Sequence, residues 1–107
     1  MSWRDAPLYV EAADLARYVM ERASAWTGAS AAALGAAVTD AAMSLVEAVA
    51  LALTFPDTRA AHLVDADEAV VRLRERLRLA QTLGLLSPGA LRHAAGRLQV
   101  IGRMIGG

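Results

Sequence analysis

The chain has 107 residues, no cysteine and 56% apolar content, enough for one core in a single domain over residues 1–107 without disulfide or metal staples. Eleven arginines balance eleven acids and no lysine is present, so the net charge is zero. The lack of cysteine excludes disulfides and thiol chemistry and fits a reducing, cytoplasmic setting.

The charge is unevenly placed. Residues 1–68 hold ten acids and four arginines, and residues 69–107 hold one acid and seven arginines. Arginine pairs bidentately with carboxylate or phosphate, so the second half either neutralises the first or faces an anionic partner. The opening residues, MSWRDAPLYV, carry acid and no apolar run, so no signal peptide is expected. The longest apolar stretch, Ala29 to Phe55, contains Asp40 and Glu47. Either acid at mid-bilayer costs roughly 2.5–3.5 kcal/mol, so the stretch is expected to be a bundle helix with no membrane span.

Taken in order, Pro7 opens a first helix with Asp5 favourably placed before it. Leu8, Ala12, Leu15, Val19 and Trp26 follow helical spacing and carry the helix from about Pro7 to Ala25. Trp26-Thr27-Gly28 ends it, with Gly28 suited to a left-handed cap. Thr27 or Ser30 is positioned to cap a second helix reaching about Thr54. Leu34, Val38, Ala41, Leu45, Ala48 and Ala52 form one of its stripes, and Val46, Val49, Leu51 and Leu53 form others. Its polar residues Asp40, Ser44 and Glu47 fall on one narrow line. A helix apolar nearly all round is buried on more than one side, which in so small a chain implies an oligomer interface as well as a core.

Phe55-Pro56-Asp57 interrupts the chain, because a residue before proline avoids helical dihedrals. A third helix starts at Asp57, or at Asp65, where Asp65 and Glu68 resemble a capping box. The series Ala60, Leu63, Ala66, Val70, Leu73, Leu77, Ala80 keeps one phase through both points, favouring a long helix from about Asp57 to Leu83 with Gly84 at C′. Ser87-Pro88 signals a fourth start, and Leu91, Ala94, Leu98, Ile101 and Ile105 supply its stripe. With no strand signal, the expected fold is all-α, an up-down-up-down four-helix bundle.

Little points to catalysis. His62 and His93 lack partners at metal-ligand spacing, and no Glu-x-x-His pair of the di-iron type exists. Asp65, Asp67 and Glu68 crowd one turn but read as a solvated face. No glycine-rich phosphate loop is present. No enzyme activity, cofactor or metal is therefore expected. The arginines remain. Arg72 and Arg76 share one face of the third helix and Arg74 and Arg78 another, with Glu75 in reach of Arg72 and Arg78. Arg92, Arg97 and Arg103 mark a polar side of the fourth helix. Two readings stand: a phosphate-facing surface, or solvated helix faces joined by ion pairs within or between subunits.

The segment Arg78–Ser87 (RLAQTLGLLS), followed by Ile101–Gly107 (IGRMIGG), resembles the Avd-like family. These are accessory variability proteins of diversity-generating retroelements, related to four-helix-bundle proteins encoded in 23S rRNA intervening sequences. The similar pattern is an arginine-rich helix, a Leu-Gly-Leu-hydrophobic-Ser turn, and a last helix closing on Ile-Gly-Arg-Met-hydrophobic-Gly-Gly. Leu34-Gly35, eight residues after Trp26, is similar to that family's aromatic-then-Leu-Gly spacing. The resemblance implies a ring-like homopentamer of bundles. It also implies a non-catalytic protein that binds a reverse transcriptase and RNA or RNA/DNA during mutagenic copying of a template RNA into cDNA. Arg72, Arg74, Arg76, Arg78, Arg92 and Arg97 match basic positions of the family's last two helices. The chain departs from the pattern in its neutral charge and in the absence of any arginine between Ala23 and Arg59.

Overall fold

The computed structural model describes residues 2–106. It contains four α-helices, α1 (Pro7–Ala23), α2 (Ala29–Thr54), α3 (Arg59–Thr82) and α4 (Pro88–Gly106), with 3-10 turns at Trp3–Asp5 and Pro56–Thr58. Among the described residues no strand occurs. Each helix packs against the helices adjacent in a square, α1 on α2, α2 on α3, α3 on α4 and α4 on α1, while the backbones of the diagonal pairs stay more than 8 Å apart between Cα atoms among the described residues. Short turns therefore produce the up-down-up-down four-helix arrangement, 43 Å long and 23 Å across.

The stripes read from spacing supply most of the core, although Ala60 and Leu51 are exposed and Leu8, Trp26, Leu63 and Leu91 are half-buried. Leu15, Val38, Leu45, Leu73, Leu98 and Ile101 are fully buried, and no polar side chain is buried among the described residues. Alanine lets the helices approach closely, with Ala12, Ala41, Ala42, Ala66, Ala69 and Ala80 in the core. The closest approach is at Gly35, where an added Cβ would sit 3.2 Å from the Ala23 carbonyl oxygen and 3.6 Å from the Trp26 ring. The Trp26 to Gly35 spacing is thus a packing contact between the α1 end and the α2 start.

The turns differ in part from their sequence reading. α1 stops at Ala23, two residues short of Ala25, because Ser24 Oγ donates to the Glu21 carbonyl at 2.6 Å and Trp26 N–H turns back to Ala23 O at 3.1 Å. Neither Thr27 nor Ser30 caps α2. Gly28 takes that position with φ 95° and ψ 157°, and its carbonyl accepts from Ala32 N–H at 2.8 Å. Such a dihedral pair suits glycine alone, which places Ser30 inside the helix. α3 begins at Arg59 after the Pro56–Thr58 turn, so Asp65 and Glu68 lie within a helix and cap nothing.

The α3–α4 turn follows the sequence closely. Gly84, at φ 77°, donates to Gln81 O at 3.0 Å, and Leu85 N–H reaches Ala80 O at 2.9 Å. These two bonds are the Schellman pattern. Ser87 Oγ then accepts from Ala90 N–H at 3.1 Å, capping α4 ahead of Pro88.

Candidate nucleic-acid interface

Helical periodicity divides the six candidate arginines among three faces of the bundle. On α3 the core residues Ala66, Val70, Leu73, Leu77 and Ala80 set the inward direction. Arg72 and Arg76 flank that stripe on the side towards α2, and Arg74 and Arg78 flank it towards α4. Arg76 is half-buried; its Nη1 donates to the Ala37 carbonyl at 2.7 Å and lies 3.5 Å from Asp40. It therefore fastens α3 to α2. Arg72 pairs with Glu68 at 3.5 Å, one turn earlier on α3. Glu75 meets Arg78 at 3.4 Å, leaving Arg72 to Glu68.

On α4 the core residues are Ala94, Leu98, Ile101 and Ile105. Arg97 points along the α1 side, where its Nη2 lies 3.2 Å from the Glu11 carboxylate, both side chains half-buried. His93 shares that side and lies against the Tyr18 ring, centroids 4.6 Å apart. Arg22 covers the same tyrosine ring at 3.6 Å. Arg92 and Arg103, eleven residues apart and thus three turns along one line, fall nearly opposite the core stripe on the solvent side of α4, where both are exposed; Leu91, Ala95 and Gly102 hold the flank towards α3.

Arg74 and Arg78 therefore lie on the α4 side of α3, and Arg92 and Arg103 stand on the solvent side of α4. Arg78 and Arg92 stand seven residues on either side of Leu85 in the connecting turn, which brings them to one level of an antiparallel pair. Among the described residues Arg74, Arg92 and Arg103 have no carboxylate within ion-pair distance. Asp67, on the same flank of α3 two turns before Arg74, offsets part of the charge near Arg103. Arg103 is the addition to the six candidates; its eleven-residue spacing from Arg92 is the signal that puts both on one solvent-facing line of α4.

This face presents guanidinium groups without an aromatic stacking platform, a glycine-rich cradle or a convergent acid–base pair. Its chemistry is that of a phosphate-backbone contact. His62 is held by Thr58 Oγ1 at 2.9 Å, and no three His, Asp or Glu side chains come together as a metal site among the described residues. Comparison with family models, curated proteins and solved structures found no match, so the functional reading rests on this geometry and on the motifs themselves.

Proposed function

We propose that this chain is a non-catalytic accessory protein of the Avd-like kind, acting in the cytoplasm as a homo-oligomer that binds a reverse transcriptase and its template RNA. The observation that carries the reading is the α3–α4 face. Arg74 and Arg78 on α3 and the outward Arg92 on α4 belong to the same segment that bears the Leu83-Gly84 turn, the Ser87 cap and the Ile101-Gly102-Arg103 closing motif. Phosphates of an RNA strand are the ligand such a face suits, and the reverse transcriptase enters through the resemblance alone. The ring of five copies likewise comes from the resemblance. Arg76 and Arg97 drop out of the binding set in this reading, because each is spent on a contact between helices.

Those same two ion pairs favour a second reading, an oligomeric scaffold whose arginines serve the fold and its self-contacts. Salt titration of RNA binding separates the two. Three to four arginine–phosphate contacts on a single strand predict that affinity falls roughly 15–60-fold between about 50 and about 200 mM salt, from a slope near −0.7 per contact. Absence of any complex at the lower salt leaves the scaffold reading standing. A loss of about 10³-fold or more implies many further contacts and contradicts a site this small.

A further inference from the structure

Between α1 and α2 the bundle leaves an open groove of about 630 Å³, walled by Ala13, Ala16, Met20, Met43 and Val46. Met43 on its α2 wall is 47% exposed. Along α1 the lining runs from Ala13 to Ser24, a span of about 16 Å or three helical turns. Glu21 stands on the α1 bank and Glu47 on the α2 bank. Neither has a cationic partner among the described residues. The groove is thus apolar along its length, with a carboxylate on each side.

The surrounding charge says what fits there. Residues Trp3 to Thr54 carry three arginines against six acids, and Arg59 to Gly106 carry eight against four. The sequence asymmetry becomes a spatial one, because α1–α2 and α3–α4 form opposite sides of the square. All three arginines of the α1–α2 side are engaged: Arg4 lies over the Trp3 ring at 4.4 Å, Arg17 meets Asp14 at 3.0 Å, and Arg22 covers the Tyr18 ring at 3.6 Å. No cation of that side is left to neutralise Glu21 or Glu47. Such banks repel an anionic strand or an anionic lipid surface and attract lysine or arginine flanking an apolar stripe.

We propose that the α1–α2 groove is a docking site for a basic amphipathic helix of a partner protein. The occupant lays apolar anchors one and two turns apart between the two helices, and its flanking basic side chains meet Glu21 on one bank and Glu47 on the other. Met20 and Met43 adapt to the anchors without demanding one shape. Affinity therefore follows the amphipathic pattern and its charge more than a fixed sequence. The site goes beyond the RNA reading and does not rest on it. Arg74 and Arg78 on α3 and Arg92 on α4 belong to the other side of the bundle and stay free when the groove is filled.

Fluorescence anisotropy of labelled synthetic peptides, titrated with the full chain in the absence of nucleic acid, tests it. The probe is a leucine–lysine amphipathic helix of about 14 residues, four turns long. A peptide of the same composition in scrambled order and one with glutamate for every lysine are the controls. The basic amphipathic peptide is expected to bind at low salt, and both controls to bind more weakly by about tenfold or more. Glu21→Lys/Glu47→Lys should reverse the preference, losing the basic peptide and gaining the acidic one. Met43→Asn, at an exposed position, should weaken binding about fivefold with an unchanged melting curve. A wild type that binds no peptide, or a scrambled peptide bound as tightly as the amphipathic one, overturns the proposal. So does a charge-reversed variant that melts normally and still prefers the basic peptide. Should that variant fail to melt cooperatively, Met43→Asn decides, and unchanged binding overturns the proposal. If the wild type binds no peptide and Met43→Asn lowers the sedimenting mass of the free chain, a second copy fills the groove and the proposal fails.

Discussion

At the scale of single residues, the glycines show how local space decides the sign of a substitution. Gly96 has nothing within 4 Å of a built Cβ, so Gly96→Ala on α4 gains helix propensity and should raise stability by about 0.5–1 kcal/mol. Gly35 has the same intrinsic gain available, but its Cβ would press on the Ala23 carbonyl at 3.2 Å. Gly35→Ala should therefore destabilise by forcing α1 and α2 apart. Chemical denaturation of the two variants checks the pair, and a stabilised Gly35→Ala would contradict the close approach. Ser87→Ala removes the hydrogen bond to Ala90 N–H and should cost about 1 kcal/mol. Sequence alone revealed the Ser87 and Gly84 roles, because each depends on residues within one turn. It gave Gly28 to the end of α1, whereas the residue stands at the N-cap of α2 with φ 95°.

At the scale of elements, the apolar phase of each helix was legible because a 3.6-residue period needs no knowledge of neighbours. Leu45 on α2 and Leu98 on α4 are fully buried, and Leu45→Ala or Leu98→Ala should lower unfolding free energy by about 2–5 kcal/mol. The start of α3 was legible too: the apolar phase unbroken from Ala60 to Ala80 favoured Asp57 over Asp65, and the helix begins at Arg59, whose Nε donates to the Ala52 carbonyl at 2.8 Å across the turn. Sorting the arginines was beyond the sequence. Helical spacing separates Arg72 and Arg76 from Arg74 and Arg78, yet only the order of helices around the square says that the first pair faces α2 and the second faces α4.

At the scale of the whole molecule, a chain of zero net charge carries two sides of opposite sign. Its partners are then chosen by faces, and the total charge says little about them. The central claim is that the phosphate-binding set is Arg74, Arg78 and Arg92, with Arg76 and Arg97 belonging to the fold. Fluorescence anisotropy of labelled RNA at low salt, with thermal melting alongside, compares two double variants directly. Arg74→Ala/Arg92→Ala should weaken RNA binding at least tenfold with little change in stability, a loss of about 1.4 kcal/mol or more for two charge-assisted contacts. Arg76→Ala/Arg97→Ala should lower stability by about 1 kcal/mol or more while binding changes only slightly. The reverse pattern, with binding lost through Arg76 and Arg97 and kept without Arg74 and Arg92, would contradict the account.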